Sequence, residues 1–127
     1  MRALVIDDSR AMRRIVGGTL EGFGYETRQA GDGQEALDVL HEGWVPELCT
    51  IDWNMPVMDG LQFVSAVRAA PAWRAVTLMM VTSEGEQSQI VRALAAGAHE
   101  YLIKPFTADA IRDKLALLGL LPVEVTA

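Results

Sequence analysis

The chain has 127 residues, half of them apolar, and carries a formal net charge of −6 at pH 7. That length suits one compact domain rather than two. Its acidic balance lacks the basic footprint that direct nucleic-acid binding usually requires, so no such partner is expected. The first residues show no charged start followed by a long apolar run, and no apolar stretch approaches the roughly 20 residues that span a bilayer. With one cysteine, Cys49, no internal disulfide can form, and we expect a cytoplasmic protein without membrane insertion.

The predicted elements alternate between strands and helices along the chain. A continuous apolar run at 3–6 predicts a strand buried on both faces, and a helix follows from Ser9 until Gly22 and Gly24 stop it. A polar edge strand is predicted at 25–30 and a short helix at 34–41. Further strands are predicted at 48–51, 78–81 and 101–103. The last three helices are expected to turn apolar residues inward: Leu61, Val64 and Val67, then Ile90, Val91, Leu94 and Ala95, then Ile111, Leu115 and Leu118.

Five strand-then-helix units in strict alternation predict an α/β domain, a doubly wound parallel sheet with helices on both faces. In such sheets the ligand site lies beyond the carboxyl ends of the strands. Asp7 and Asp8 follow the first strand, Asp52 the third, Thr82 the fourth and Lys104 the fifth. We therefore expect three carboxylates, a hydroxyl and an ammonium to converge at one end of the sheet.

This set of side chains has a specific chemical logic. Three crowded carboxylates repel one another and are driven toward protonation unless a cation joins them. Oxygen ligands of this kind suit a hard cation such as Mg²⁺. A carboxylate beside Mg²⁺ can attack phosphorus to form an acyl phosphate, and the Lys104 ammonium and the Thr82 hydroxyl suit the charge on the transferring group. The residues predict phosphoryl transfer to a protein carboxylate.

The same residues form a pattern that resembles the response regulator receiver domains of two-component signalling. The pattern comprises Asp7-Asp8, Asp52 to Pro56, Met58-Asp59-Gly60, Thr82 and Lys104-Pro105-Phe106. The resemblance covers residues 1–119 as a receiver domain, leaving 120–127 as a short tail, and it is strongest toward single-domain chemotaxis members. It implies a flavodoxin-like (βα)5 fold with strand order 2-1-3-4-5, and a response regulator phosphorylated by a sensor histidine kinase.

The resemblance also implies a role for each site residue. Asp52 would be the phosphoacceptor and would share Mg²⁺ with Asp8, which binds it directly. Asp7 would bind the ion mainly through water, and Asn54 through its backbone carbonyl. Thr82 would hydrogen-bond the phosphoryl group. No turnover of an external substrate is expected from such a site.

A switch and an output surface are implied in the same way. Lys104 would pair with the phosphoryl group, and its bond to Pro105 would be cis. Tyr101 would turn inward when Thr82 is drawn to the phosphoryl group. A downstream protein, the flagellar motor switch if the chemotaxis likeness holds, would dock on the face of the fourth helix, fifth strand and fifth helix. That face is expected to include Ala95, Ala96, His99, Tyr101 and Phe106.

Other interpretations of the same residues compete with this one. Asp8 or Ser9 could cap the first helix, and Thr82 or Ser83 the fourth. A dinucleotide-binding domain needs glycines after the first strand, where this chain has acids. A phosphatase of the haloacid dehalogenase type also forms an aspartyl phosphate, but its Asp-x-Asp pattern does not occur at Asp7 or Asp52. A pseudo-receiver that binds partners without phosphorylation stays open.

Overall fold

The apolar runs predicted as strands pair into one parallel sheet. This computed structural model describes residues 1–121. The strands are β1 (Arg2–Ile6), β2 (Glu26–Ala30), β3 (Leu48–Ile51), β4 (Thr77–Thr82) and β5 (Glu100–Ile103). The helices are α1 (Arg10–Gly22), α2 (Gly33–His41), α3 (Gly60–Ala69), α4 (Gln87–Ala96) and α5 (Ala108–Leu117), with a 3₁₀ turn at Pro71–Trp73. The sheet order β2-β1-β3-β4-β5 confirms the predicted fold and leaves the polar β2 at an edge.

The helices divide between the two faces of the sheet. One core joins the strands to α1 and α5 and includes Val5, Leu20 and Ile111. The other joins them to α2, α3 and α4 and includes Ile51 and Phe63. Because β1, β3 and β4 are covered on both sides, they read as uninterrupted apolar runs rather than alternating ones.

Side-chain caps fix where most helices begin. Ser9 accepts the amide of Met12 at the start of α1, so the capping interpretation of Ser9 is confirmed. Asp59 forms a reciprocal capping box with Gln62 at α3. Among the α-helices of residues 1–121, α4 is the one without a side-chain cap, and neither Thr82 nor Ser83 caps it.

The predicted inward face of α4 is confirmed at Ile90, which packs against the core, but is wrong at the other three residues. Val91, Leu94 and Ala95 are exposed, whereas Ala93 is the residue that enters the core. Ala93 is three residues from the partly buried Ile90 and four from the C-cap Gly97, the spacing of one helix face. Since Val91 and Leu94 lie about 100° further round the helix, they fall outside that contact.

Two smaller differences concern the first helix and the chain end. Ile15 belongs to the apolar pattern of α1 but is exposed, while Val16 and Leu20 are buried. After α5, Gly119 adopts a positive φ of 71° and turns the chain, so that Leu120 packs against the α1–α5 core. Pro122 and the rest of the predicted tail lie outside the described residues. Over residues 1–121, no helix is both long and apolar enough to cross a membrane.

Candidate functional site

The parallel register carries the predicted site residues to one end of the sheet. Ile6 pairs with Ile51, and the ladder runs one step further because the Asp52 amide donates to the Ile6 carbonyl at 2.9 Å. On the other side, the Lys104 amide donates to the Thr82 carbonyl at 2.9 Å. The side chains that follow β1, β3 and β5 therefore lie at the same end of the sheet, as the sequence predicted.

Three carboxylates form a cluster that could hold a metal ion. Asp7, Asp8 and Asp52 each offer one oxygen, and these oxygens lie within 4.8 Å of one another. Asp7 is buried, Asp52 partly buried and Asp8 exposed. All the ligand atoms are carboxylate oxygens, and the exposed side leaves room for the waters that a hard cation such as Mg²⁺ retains. The donor set fits that class of ion.

Lys104 supplies part of the counter-charge. Its Nζ donates to Asp7 Oδ2 at 2.7 Å and lies 3.7 Å from Asp52 Oδ2. The side chains of Lys104 and Asp7 are only 17% and 5% exposed, so solvent screens this pair little. One ammonium against three carboxylates still leaves an excess of negative charge that a divalent cation would balance.

The surroundings of Asp52 disfavour the ionised form of its carboxyl group. Burial is the largest influence on it and raises the pKa of its carboxyl, and the nearby charge of Asp7 raises that pKa further. The Thr82 hydroxyl, Lys104 and the Trp53 amide, which donates to Asp52 Oδ1 at 2.9 Å, act in the opposite direction but do not cancel the rise in pKa. A cation beside Asp52 would favour its ionised form.

The loop after Asp52 is shaped by close backbone contacts. The Gly60 amide donates to the Trp53 carbonyl at 2.8 Å. A Cβ on Gly60 would lie 2.3 Å from the Asp52 carbonyl oxygen, which explains why glycine begins α3. Within the loop, Val57 has a φ of 66°, a left-handed conformation that a β-branched residue rarely adopts. The peptide bond between Lys104 and Pro105 is cis, as the resemblance implied.

Glu84 links the site to Tyr101, although it is not among the site residues that the sequence predicts. Its amide donates to Thr82 Oγ1 at 3.3 Å, and its carbonyl accepts the Tyr101 hydroxyl. Its carboxylate accepts the side-chain amides of Asn54 at 2.5 Å and Gln89 at 3.2 Å. The rule of strand ends could have indicated Glu84, because it comes two residues after Thr82. Its partners depend on the loop conformation, which no periodicity predicts.

Two arginines also contact the site region from neighbouring helices. Arg13 of α1 donates from Nη1 to the Asp7 carbonyl at 2.7 Å and thereby holds the loop after β1. Arg92 of α4 stacks over the Trp53 ring at 5.7 Å from its centroid, within the range of a cation–π contact. Neither residue was singled out from the sequence.

The predicted output face is partly as expected. Ala95 and His99 are exposed, and Ala96 and Phe106 are partly buried. Tyr101 is only 8% exposed, so it contributes little surface here and sits turned inward. The surface also carries three exposed apolar side chains that were not assigned to it: Val91, Leu94 and Ile103.

Comparisons with known proteins define the class. The family model described as response regulator receiver domain matches residues 3–116, and the chain belongs to that family. It is 40% identical to Helicobacter pylori chemotaxis protein CheY1 (strain J99) over 93% of this chain and 96% of that protein. It is 41% identical to Pseudomonas aeruginosa CheY over 91% and 93% of the two chains. The solved structure of Vibrio cholerae CheY4 covers 91% of this chain and 96% of its own with a TM-score of 0.84 at 34% identity. The chain is thus a CheY-like receiver domain.

Proposed function

We propose that the protein is a phosphorylation-controlled switch in which Asp52 accepts a phosphoryl group from a sensor histidine kinase. The observation that carries this proposal is the cluster of Asp7, Asp8 and Asp52 with Lys104 Nζ only 3.7 Å from the Asp52 carboxylate. The acceptor carboxylate, the cation ligands and a positively charged side chain lie together, which is what phosphoryl transfer to a carboxylate requires.

The transfer proposed at Asp52 is a single displacement at phosphorus. An Asp52 carboxylate oxygen forms the new O–P bond while the N–P bond of a phosphohistidine breaks, and the bonding pair stays on the imidazole nitrogen. Asp7, Asp8, Asp52 and the Asn54 carbonyl would hold Mg²⁺, which supplies charge neutralisation for the transferring group when bound. Lys104 and the Thr82 hydroxyl bind the phosphoryl oxygens.

The product is an acyl phosphate on the protein itself, so the site serves signalling rather than turnover of an external substrate. Water returns Asp52 to its starting state by breaking the same bond. Such a cycle needs a phosphodonor protein and a reader of the phosphorylated form, both of which we place in the cytoplasm with this chain. The chemotaxis names of its relatives make the flagellar motor switch the proposed reader.

The proposed route to the reader runs through Glu84. The Thr82 hydroxyl accepts the Glu84 amide and the Tyr101 hydroxyl donates to the Glu84 carbonyl. If Thr82 turns to the phosphoryl group, its bond to Glu84 is lost and the loop that holds Tyr101 is free to shift. The exposed apolar residues Val91, Leu94 and Ile103 would then be the surface whose arrangement changes.

The transfer is tested with a small phosphodonor and Mg²⁺, using intact mass as the readout. The wild type is expected to gain one phosphoryl group, and Asp52→Asn to gain none because an amide is a poor nucleophile. Asp59→Asn is the matched control: Asp59 lies in the same loop, but its carboxylate caps α3, a task that asparagine also performs. Full labelling of the Asp52 variant would overturn the assignment, and an unlabelled wild type would favour a pseudo-receiver.

The switch is tested with beryllofluoride, a stand-in for the phosphoryl group, and amide NMR. Wild-type protein should show shifts across residues 84–106. Thr82→Ala should lose most of them, since couplings of ~1–3 kcal/mol are comparable to one hydrogen bond to a charged group. A full response in that variant would show that the signal leaves the site by another route.

A further inference from the structure

His99 lies at the junction where α4 has ended and β5 is about to begin, on the end of the sheet opposite the acidic cluster. It makes two bonds to one residue of β4. Its backbone amide donates to the Leu78 carbonyl at 2.8 Å, and its ring Nδ1 accepts the Leu78 amide at 3.1 Å. The imidazole therefore continues the β4–β5 ladder by one extra step, using a side chain where a strand would use a carbonyl.

Arg68 of α3 surrounds the same junction with hydrogen bonds. Its guanidinium donates to the carbonyls of Gly97 at 3.0 Å, Arg74 at 3.1 Å and Val76 at 2.6 Å, and Nη2 lies 3.2 Å from His99 Nδ1. Gly97 has a φ of 121°, and a Cβ there would lie 2.3 Å from Arg68 Cγ. The close packing of Arg68 against the end of α4 therefore requires glycine at position 97. Both the Leu78 amide and the Arg68 guanidinium point donors at Nδ1, which requires the ring nitrogen to be an unprotonated acceptor.

Protonation of the ring would turn that acceptor into a donor. The Leu78 amide would lose its partner, and a second positive charge would face Arg68. Although His99 is exposed overall, partial desolvation of its ring, and then the charge of Arg68, lower its pKa below the ordinary 6.5. Charged side chains on the adjoining α4 and β5 have partners of their own: Arg92 stacks on Trp53, and Glu100 accepts Lys114 of α5 at 2.9 Å. The Arg74 contact is through its backbone carbonyl.

We propose that neutral His99 is a proton-sensitive latch that fastens the end of α4 and the start of β5 to β4, and that acid opens it. A lowered pKa in the folded state means that this contribution to stability is complete above pH 6.5 and is lost as the pH falls through the folded-state value. The latch itself does not depend on phosphorylation. Its consequence, weaker binding of a partner to the α4–β5 surface in acid, rests on the proposed function.

The latch is tested by an NMR titration from pH ~8 to ~5, the range in which histidine changes charge. The His99 ring protons should titrate with a midpoint below 6.5, and the Leu78 and Gly97 amide signals should move with the same midpoint. His41→Gln is the matched control. His41 is the only other histidine and packs edge-on against Trp73, so its replacement should leave the His99 midpoint unchanged. His99→Asn keeps an acceptor but cannot titrate, so its Leu78 amide should stay constant.

Amide hydrogen exchange, corrected for the intrinsic effect of pH, gives a second readout. Opening at Leu78 should increase several-fold in the wild type as His99 protonates and should not change in His99→Asn. A His99 midpoint at or above 6.5, or a Leu78 amide that ignores the titration, would overturn the latch. If His99→Asn does not fold, the wild-type and His41→Gln titrations decide alone. Failure of Asp52 to take up phosphate would leave all these results unaffected.

Discussion

Replacing Lys104 with methionine tests whether the acidic cluster needs a cation. Methionine fills a similar volume but removes the ammonium that bonds Asp7 at 2.7 Å and lies 3.7 Å from Asp52. The two carboxylates would then face each other and Asp8 without a positive partner. Because Asp7 is only 5% exposed in its side chain, solvent cannot take over that role.

The expected loss of stability follows from this geometry. Removing one partner of a buried ion pair costs about 3–5 kcal/mol, and the partial exposure of Lys104 places this case near the lower end. A loss of about 3 kcal/mol corresponds to a fall in Tm of roughly 10 °C for a domain of this size. Saturating Mg²⁺, at about 100 times its Kd, contributes about 2.7 kcal/mol by mass action. It should therefore restore most of the loss.

Thermal unfolding with and without Mg²⁺ measures both effects. The variant should gain more from Mg²⁺ than the wild type, because in the wild type the ion competes with Lys104 for Asp7 and Asp52. Lys114→Met is the control. Lys114, the only other lysine, pairs with Glu100 in a more exposed salt bridge, which is worth about 0–1 kcal/mol. This variant should gain as much stability from Mg²⁺ as the wild type does. Equal stability of Lys104→Met and wild type without Mg²⁺ would refute the reasoning.

Three further predictions follow from single contacts. Asp52→Asn should be more stable than wild type at neutral pH without metal. The raised pKa of Asp52 adds to the stability of the wild type in full only below the ordinary value of 3.8, and this contribution is lost as the pH rises through the folded-state value. The difference in Tm between the two proteins should therefore close in acid. Thr50→Val should raise the free energy of unfolding by about 1 kcal/mol in urea titrations, since the buried Thr50 hydroxyl has no hydrogen-bond partner among residues 1–121, and a decrease would contradict this. Gly60→Ala should displace the Asp52 backbone and abolish the Mg²⁺-induced rise in Tm, whereas an unchanged rise would show that the loop tolerates a Cβ.

The sequence predicts those features that depend on the spacing of apolar residues and on where each strand ends. Buried strands such as Leu48–Ile51 read as continuous apolar runs, and parallel pairing then brings the residues after each strand together whatever the loops do. That is why Asp7, Asp52 and Lys104 could be placed at one site from their positions in the chain.

Features that depend on a choice among similar residues were not predictable. α4 carries apolar residues around much of its circumference, so its pattern does not say that Ala93 rather than Leu94 enters the core. The bonds of Glu84 and the His99 ring arise from loop conformations in which a side chain replaces a strand or turn partner. Such partners are set by tertiary packing, to which local sequence patterns give no access.

The central claim, that Asp52 is the phosphoacceptor, is tested most directly by locating the phosphoryl group. Borohydride reduces an acyl phosphate to an alcohol, so an aspartyl phosphate becomes homoserine and marks its own position. After phosphorylation in Mg²⁺ and reduction, peptide mass spectrometry should find homoserine at position 52 and aspartate unchanged at positions 7, 8 and 59. Homoserine at another of these positions, with Asp52 intact, would contradict the account.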